Sequence, residues 1–370
     1  MNFEYSDEQQ QLADSVRKFL AQSCGFEQRK ATVQSASGGS DAVWQTFAEM
    51  GLTALALPEA DGGFGGGAID LMPVMEACGE ALVVEPLLDQ IVGARLVARG
   101  GSAAQRAALL PGVIDGSRKL AFAYLEPGRR CEPAPLATTA AKAGDGWVLN
   151  GEKCVVIGAS AADALIVSAD AGGASLFVVD AKARGVGLNP YRSVDGQRAA
   201  DVKLAGVKLP ADALLGPAAS AQPLIDEALD FATALQCADA VGAMAYANDA
   251  TLEYLKTRKQ FGVPIGSFQA LQHRIVEMFI HAEQARSMAI LAASKVDTER
   301  DAAQRRRAVS AAKVKIADAA RHISQEAVQL HGGMGMTEEL KISHTFRRLT
   351  TIGQRFGDAD HHLERYASLG

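Results

Sequence analysis

Asp145-Gly146-Trp147-Val148-Leu149-Asn150-Gly151-Glu152-Lys153 is the stretch that sets the fold class, because it interrupts a chain that otherwise reads as helix. Asp-Gly and Asn-Gly are tight-turn dipeptides, and the aromatic and branched residues between them suit a pleated, half-buried surface. The stretch therefore predicts a hairpin. Downstream, Leu165-Ile166-Val167 and Leu176-Phe177-Val178-Val179 read as short apolar strands bounded by Gly, Ala and Asp.

Helical texture lies on both sides. Upstream, Ser6 before Asp7 and Glu8 reads as an N-cap with an acidic first turn. Leu57-Pro58-Glu59-Ala60-Asp61-Gly62-Gly63-Phe64-Gly65-Gly66-Gly67 is too rich in glycine for either regular element and predicts a loop. Downstream, Phe268, Leu271, Ile275, Met278, Ala282, Ala285 and Ala289 step by threes and fours and form one helical stripe, read as core. Ile316, Ala319, Ile323, Ala327 and Leu330 do the same in the next helix, and their small alanines allow close helix packing. The expected fold class is α+β, mostly α: an N-terminal helical domain (1–117), a small middle β domain (118–216) and a C-terminal four-helix bundle (217–370).

A net charge of -6 and the lack of a basic stripe argue against nucleic-acid binding. Cys24, Cys78, Cys131, Cys154 and Cys237 are scattered without CxxC spacing, which reads as reduced thiols rather than a disulfide frame or zinc site. No HxH or HExxH spacing occurs, so no metal site is expected, and His344, His361 and His362 are expected at the surface or at helix ends. Met1-Asn2-Phe3-Glu4 is acidic and polar rather than a signal peptide. No apolar run approaches the roughly 20 residues of a membrane span. A soluble, cytoplasmic protein is expected.

Two stretches carry chemistry. Arg258-Lys259-Gln260-Phe261-Gly262 reads first as a helix C-terminus, with Gly262 near C′ and Pro264 as a stop. The Arg258 guanidinium is also a planar, always-charged fork suited to phosphate oxygens, and Phe261 offers an apolar face. Gln329-Leu330-His331-Gly332-Gly333-Met334-Gly335-Met336-Thr337 ends the following helix and turns sharply. Gly332 and Gly333 have no Cβ, so their backbone N–H groups can approach a diphosphate, and Gln329 can add an amide contact.

Together these two stretches resemble the nucleotide grip of the acyl-CoA dehydrogenase family. Other segments resemble it in order and spacing: Phe3, Ser6, Glu8 and Gln9 its opening helix, and Pro58, Glu59, Gly62, Gly63 and Gly65 its early loop. Trp147 to Lys153 is similar to its LNGxK hairpin, and Val207 to Gly216 to its exit from the β domain. The resemblance covers nearly the whole chain. It implies FAD as cofactor, with Arg258, Gln260, Phe261, Gln329, Gly332 and Gly333 on the FAD of a neighbouring subunit.

The departures are as informative. Where the family reads TEPxAGSD, this chain has Leu125-Glu126-Pro127-Gly128-Arg129-Arg130, with Glu-Pro kept and the small polar residues gone. Where the family often has ITN, with a threonine near flavin N5, this chain has Val155-Val156-Ile157-Gly158, and aliphatic side chains donate no hydrogen bond. The family places its catalytic glutamate at one of two positions. Counting 23 residues on from Gly333 lands on Phe356, and 26 residues before Arg258 lands on Ala232. Neither accepts a proton. Asp230 lies about 200° around a helix from Ala232, and Asp358 is two residues past Phe356. No catalytic residue is therefore expected in this chain.

The resemblance extends to a branch of the family in which two different chains assemble and act on CoA thioesters of steroid or sterol side chains. It implies a second acyl-CoA dehydrogenase chain carrying the catalytic Glu, an acyl-CoA substrate and electron-transfer flavoprotein as acceptor. Three alternatives stay open: a self-sufficient homotetramer using Asp358, a flavin monooxygenase on the same fold, and a structural subunit without flavin.

Overall fold

The computed structural model describes residues 5–369, and the expectations placed on Met1 to Glu4 lie outside them. The helices are α1 (Asp7–Ser23), α2 (Phe26–Gln34), α3 (Asp41–Glu49), α4 (Ala68–Ala81), α5 (Leu87–Gly100), α6 (Ala103–Ile114), α7 (Gln222–Thr257), α8 (Gln269–Thr298), α9 (Ala302–His331), α10 (Lys341–Gln354) and α11 (Ala359–Ser368). The strands are β1 (Leu120–Ala123), β2 (Thr139–Ala143), β3 (Gly146–Ile157), β4 (Ala164–Asp170), β5 (Ala174–Asp180), β6 (Val186–Arg192), β7 (Arg198–Leu209), β8 (Leu214–Leu215), β9 (Lys259–Gln260) and β10 (Val263–Pro264). The fold is α+β and mostly α. No helix among the described residues is long and apolar enough to cross a membrane.

By its internal contacts the chain forms two compact units. One comprises residues 31–67 and 84–232, the other the chain up to Lys30, Ala68–Val83 and everything from Thr233. The first unit holds strands β1 to β8, ordered β6-β7-β3-β2-β4-β5-β8 with β1 parallel to β4. The expected hairpin is β2–β3, and it closes at Gly144-Asp145, since Ala143 pairs with Gly146. Asn150-Gly151 is not a turn. The strand runs through it, and the pairing with β7 slips between Leu149 and Asn150. A strand bulge uses the same residue types as a turn. Here the Asn150 side chain accepts from the Gly206 N–H at 2.8 Å, and a Cβ on Gly151 would sit 2.6 Å from the Thr138 Cα.

The inner face of this sheet alternates as strands should: Trp147 and Leu149, Leu165 and Val167, Phe177 and Val179, Val202 and Leu204 are buried together. Trp147 meets Phe177 edge-to-face at 5.4 Å between ring centres. Helix α5 covers β1. Its buried Gln90 donates to the Arg118 carbonyl at 2.8 Å and accepts from the Leu120 N–H at 2.6 Å, which satisfies the start of that strand.

Two residues of the sequence motifs bond to each other at the centre of this unit. The Lys153 ammonium, fully buried, lies 2.7 Å from Glu126 Oε1 and 3.0 Å from Ser168 Oγ. Glu126 also accepts from the Ala137 and Thr138 N–H groups at 2.6 and 2.9 Å. Burial pulls the Lys153 pKa down to about 8, against the pull of Glu126. Burial alone would raise Glu126, but Lys153 and the backbone donors outweigh it and hold the carboxyl at about 2. Both groups are therefore charged at neutral pH.

The second unit gathers α1, α4 and the long C-terminal helices. Ser6 caps α1 as expected: its hydroxyl accepts from the Gln9 N–H while the Gln9 side chain accepts from the Ser6 N–H. The α9 stripe of Ile316, Ala319, Ile323, Ala327 and Leu330 is buried throughout. The α8 stripe behaves differently. Met278, Ala285 and Ala289 are buried, Leu271, Ile275 and Ala282 half-buried, and Phe268 exposed beside exposed Val276, Phe279 and Ile280. Periodicity marks what a helix is able to bury; whether one chain supplies the cover is a separate matter.

Breaking the buried pair should cost far more than replacing it. Lys153→Met leaves Glu126 desolvated and unpaired, and urea unfolding should show a loss of about 3–5 kcal/mol. Adding Glu126→Gln should recover part of that loss. A single-variant loss below about 1 kcal/mol, the range of exposed ion pairs, would contradict the pairing.

Candidate functional site

Helix α7 ends at Thr257, and the chain then folds straight back. The Arg258 N–H still bonds the Tyr254 carbonyl at 2.8 Å, but the Arg258 carbonyl accepts from the Ile265 N–H, also at 2.8 Å. Lys259 pairs with Pro264 and Gln260 with Val263, so the motif is a tight hairpin rather than a helix end. Phe261 and Gly262 are its two turn residues, with φ of +55° and +82°. Gly262 thus serves the turn and not a C′ position, because a two-residue hairpin turn of the favoured hand needs positive φ at both central residues. Phenylalanine held there stores about 1–3 kcal/mol of strain. Its ring is 91 % exposed and meets Phe268 edge-to-face, with ring centres 6.1 Å apart. Arg258 extends from the base of the hairpin, exposed and with no side-chain hydrogen bond or ion pair among the described residues.

Helix α9 ends at His331. Gly332 follows with φ +61° and ψ −145°, a conformation open to glycine and costly for other residues, and a short 3-10 turn runs over Gly332–Met336. Gln329 and Gly333 are exposed, as are Met334 and Met336. Nothing lies within 4 Å of a Cβ built on Gly333. The packing of this chain therefore has no use for a glycine at 333.

A stacked pair joins the two motifs. The His331 ring lies on Tyr254, with ring centres 4.4 Å apart and planes 29° apart. His331 Nδ1 donates to the Ala327 carbonyl at 2.8 Å, and burial pushes the imidazole pKa below its ordinary value, so the ring is neutral and packs as a flat apolar group. Tyr254 stands one helical turn before Arg258, so the stack ties the last turn of α7 to the end of α9, where the two stretches leave their helices. Sequence reading noticed His331 but not Tyr254, whose only signal was its helical spacing from Arg258.

The Phe356 position is a left-handed turn, φ +59°, directly after α10. The ring is half-buried beneath the Arg355 guanidinium, 4.6 Å from its centre. Lys313, fully buried, donates to the Ile352 carbonyl and, at 2.8 Å, to the Arg355 carbonyl, placing a cation at the C-terminal end of α10. His362 Nε2 donates to the Phe356 carbonyl at 3.0 Å, and its Nδ1 accepts from Ser310 Oγ at 3.2 Å. Burial, then the charge of Lys313, pushes His362 down to about 3. The turn is held rigidly, and its side chain carries no carboxylate.

Neither nearby aspartate faces this role freely. Asp358 is the N-cap of α11, accepting from the His361 N–H at 2.9 Å, and Asp230 is fully buried. Ala232 is fully buried as well. His344 and His362, expected at the surface or at helix ends, lie in the first turns of α10 and α11, and both are buried. His344 lies between Arg29, 3.1 Å from its Nδ1, and the Glu338 carbonyl, 3.2 Å from its Nε2. Helical ends carry such residues either way, and burial there is decided by a distant partner.

In the β unit, Val155 has φ +52° at a second slip of the β3–β7 pairing, and its N–H donates to Asp201 at 3.3 Å. Its side chain is exposed, while Val156 and Ile157 are buried. Residues 155–157 thus present no side-chain donor or acceptor. Among the described residues no group of His, Cys, Asp and Glu is arranged to hold a metal ion.

The chain matches three family models: acyl-CoA dehydrogenase N-terminal domain over residues 6–117, middle domain over 121–207 and C-terminal domain over 223–367. It is 32% identical to acyl-CoA dehydrogenase FadE12 of Mycobacterium tuberculosis, across 92% of this chain and 90% of that one. Among solved structures, a variant of the Tcur3481-Tcur3483 steroid ACAD is 33% identical, covering 98% of this chain and 97% of its own, with a TM-score of 0.89. The ChsE4-ChsE5 complex of Mycobacterium tuberculosis is 25% identical, covering 100% and 98%, with a TM-score of 0.91.

The two glycines should separate in a stability experiment on the isolated chain. Gly332→Ala forces a side chain into a glycine conformation and should cost about 1–3 kcal/mol. Gly333→Ala enters open space and should stay within about 0.5 kcal/mol of the parent. Equal losses in thermal denaturation would mean that Gly333 packs against its own chain.

Proposed function

We propose, because this chain belongs to the acyl-CoA dehydrogenase family, that it is the nucleotide-clamping subunit of a heteromeric acyl-CoA dehydrogenase. The family makes it an FAD-dependent oxidoreductase; the division of labour between two chains is our reading. One observation carries it. Arg258, Gln260, Phe261, Gln329 and Gly333 are all exposed, whereas Phe356 and Ala232 stand at the two positions where the resemblance puts the base.

Desaturation of a CoA thioester needs a carboxylate to remove the α proton as hydride leaves the β carbon. When bound, FAD supplies the hydride acceptor. In this reading Arg258 and Gln260 hold phosphate oxygens, Phe261 covers the nucleotide, and Gln329, Gly332 and Gly333 present amides to the diphosphate. The open space at Gly333 and an Arg258 without a side-chain partner among the described residues fit that role. The isoalloxazine fits this chain's own β strands less well, since Val156 and Ile157 offer it no hydrogen bond. A partner acyl-CoA dehydrogenase chain then contributes the flavin pocket and the catalytic Glu, so each working site combines both chains. Asp358 is committed to capping α11, which weighs against a self-sufficient homotetramer.

The substrate class we infer is a CoA thioester of a steroid side chain, supported by the likeness to a steroid ACAD built from two chains. Electron-transfer flavoprotein is the inferred acceptor. A relative 30% identical to this chain is named as a subunit of a caffeyl-CoA reductase-Etf complex in Acetobacterium woodii. Dispersed free cysteines suit a cytoplasmic enzyme.

Arg258→Ala in the assembled complex tests the clamp. Loss of one charge-assisted contact of about 1.5–3 kcal/mol corresponds to FAD binding weaker by about 10- to 150-fold. Equilibrium dialysis followed by the visible spectrum reads it. Unchanged retention of flavin would overturn the assignment of Arg258.

A further inference from the structure

Helices α8 and α9 form an antiparallel pair of 30 residues each, joined by the short link Glu299–Asp301. The start of α8, just after the Arg258 hairpin, therefore lies at the same end as the close of α9, where Gln329 and Gly332 stand. The relative register of these two helices decides how the two halves of the clamp face each other.

A pair of histidines sits on that seam. His281 of α8 and His322 of α9 stack with ring centres 4.2 Å apart and planes 23° apart. Each keeps one buried ring nitrogen, His281 Nδ1 and His322 Nε2, without a hydrogen-bond partner. The clamp lies about 18 Å along α8 from His281 at 1.5 Å per residue. The charged groups facing the pair are Glu277 from α8 and Lys315 and Asp318 from α9. Asp318 Oδ2 is 4.0 Å from His281 Nδ1, within reach of an ion pair but beyond a hydrogen bond.

We propose that the His281–His322 stack is a proton-operated latch on the α8–α9 seam, closed when at most one ring is charged and opened by the second proton. With both rings neutral, the stack is an apolar contact. One proton on His281 pairs with Asp318 and leaves the stack in place. A second proton puts two like charges 4.2 Å apart, with Lys315 nearby, and is accepted only if the rings separate. Burial, the neighbouring His322 and Lys315 all push the His281 pKa below its ordinary value. Opening shifts α8 against α9 and loosens the grip on the flavin nucleotide; this last step rests on the clamp reading given above.

Two measurements test the latch separately from the clamp. In the assembled complex, FAD release should rise as pH falls, and His322→Phe, which keeps a stacked ring but cannot be charged, should move the midpoint down by about one pH unit or more. On the full chain alone, hydrogen exchange of the α8 and α9 amides flanking the pair, corrected for intrinsic rate, should rise about tenfold between about pH 7.5 and 5.5. That rise should vanish in His322→Phe and in His281→Phe. If His322→Phe folds poorly, His322→Gln serves, since it too takes no proton. Identical exchange profiles in parent and variants would overturn the latch whatever the flavin does. Normal latch exchange with no acid-dependent FAD release would support the latch and remove the clamp from its output.

Discussion

A cation removed from water must find oxygen, and this chain is organised around that requirement. The effective penalty for a buried ion is several kcal/mol before any partner is counted. Lys153, Lys313, Arg29 and Arg348 are all buried, and each is met inside its own unit. Lys153 meets Glu126 and Ser168; Lys313 meets the carbonyls that end α10; Arg29 donates to the Leu82 carbonyl at 2.7 Å; Arg348 meets Asp239. Arg258 stands outside this pattern, exposed and unmatched by any carboxylate among the described residues. Its neighbours share the condition: a strained phenylalanine with its ring in solvent, and a glycine where the chain needs none. Groups so placed make sense when the matching oxygens belong to something else.

The Phe356 turn shows the complementary half of the pattern. Lys313 and His362 fix its backbone through the Arg355 and Phe356 carbonyls, a support system suited to holding one side chain in one place. The side chain so held is an aromatic ring stacked under Arg355. Under the function proposed above, such framing without a proton acceptor is the scaffold of a catalytic position kept for packing, its chemistry supplied from another subunit. The β strands agree, since residues 155–157 are aliphatic.

Much of this was legible in the residues. Ser6 and Gln9 announced the first helix, the hairpin around Trp147 announced the sheet, and the α9 stripe announced its buried face, because caps, turns and periodicity act within a few residues of themselves. The family was legible through the residue type and order of the Arg258 and Gly332 stretches. What was hidden depends on partners far away in sequence. The stack of Tyr254 on His331 needs two helices to meet; the burial of His344 follows from Arg29, and that of His362 from Ser310 and Phe356. Phe261 was misread as part of a helix end because the fold-back is fixed by the bond between Arg258 and Ile265 rather than by its own preference. Asn150-Gly151 carried a turn signal that the sheet used as a bulge.

The flavin stoichiometry of the assembled particle bears most directly on the division of labour between two chains. The chain would be produced alone and together with its partner, and each purified species weighed by native mass spectrometry while its visible spectrum is recorded. A clamp without a pocket predicts a pale, inactive chain on its own, and with the partner a heterotetramer carrying one FAD per pair of unlike chains. A coloured homo-oligomer with one FAD per chain and acyl-CoA dehydrogenase activity would contradict it.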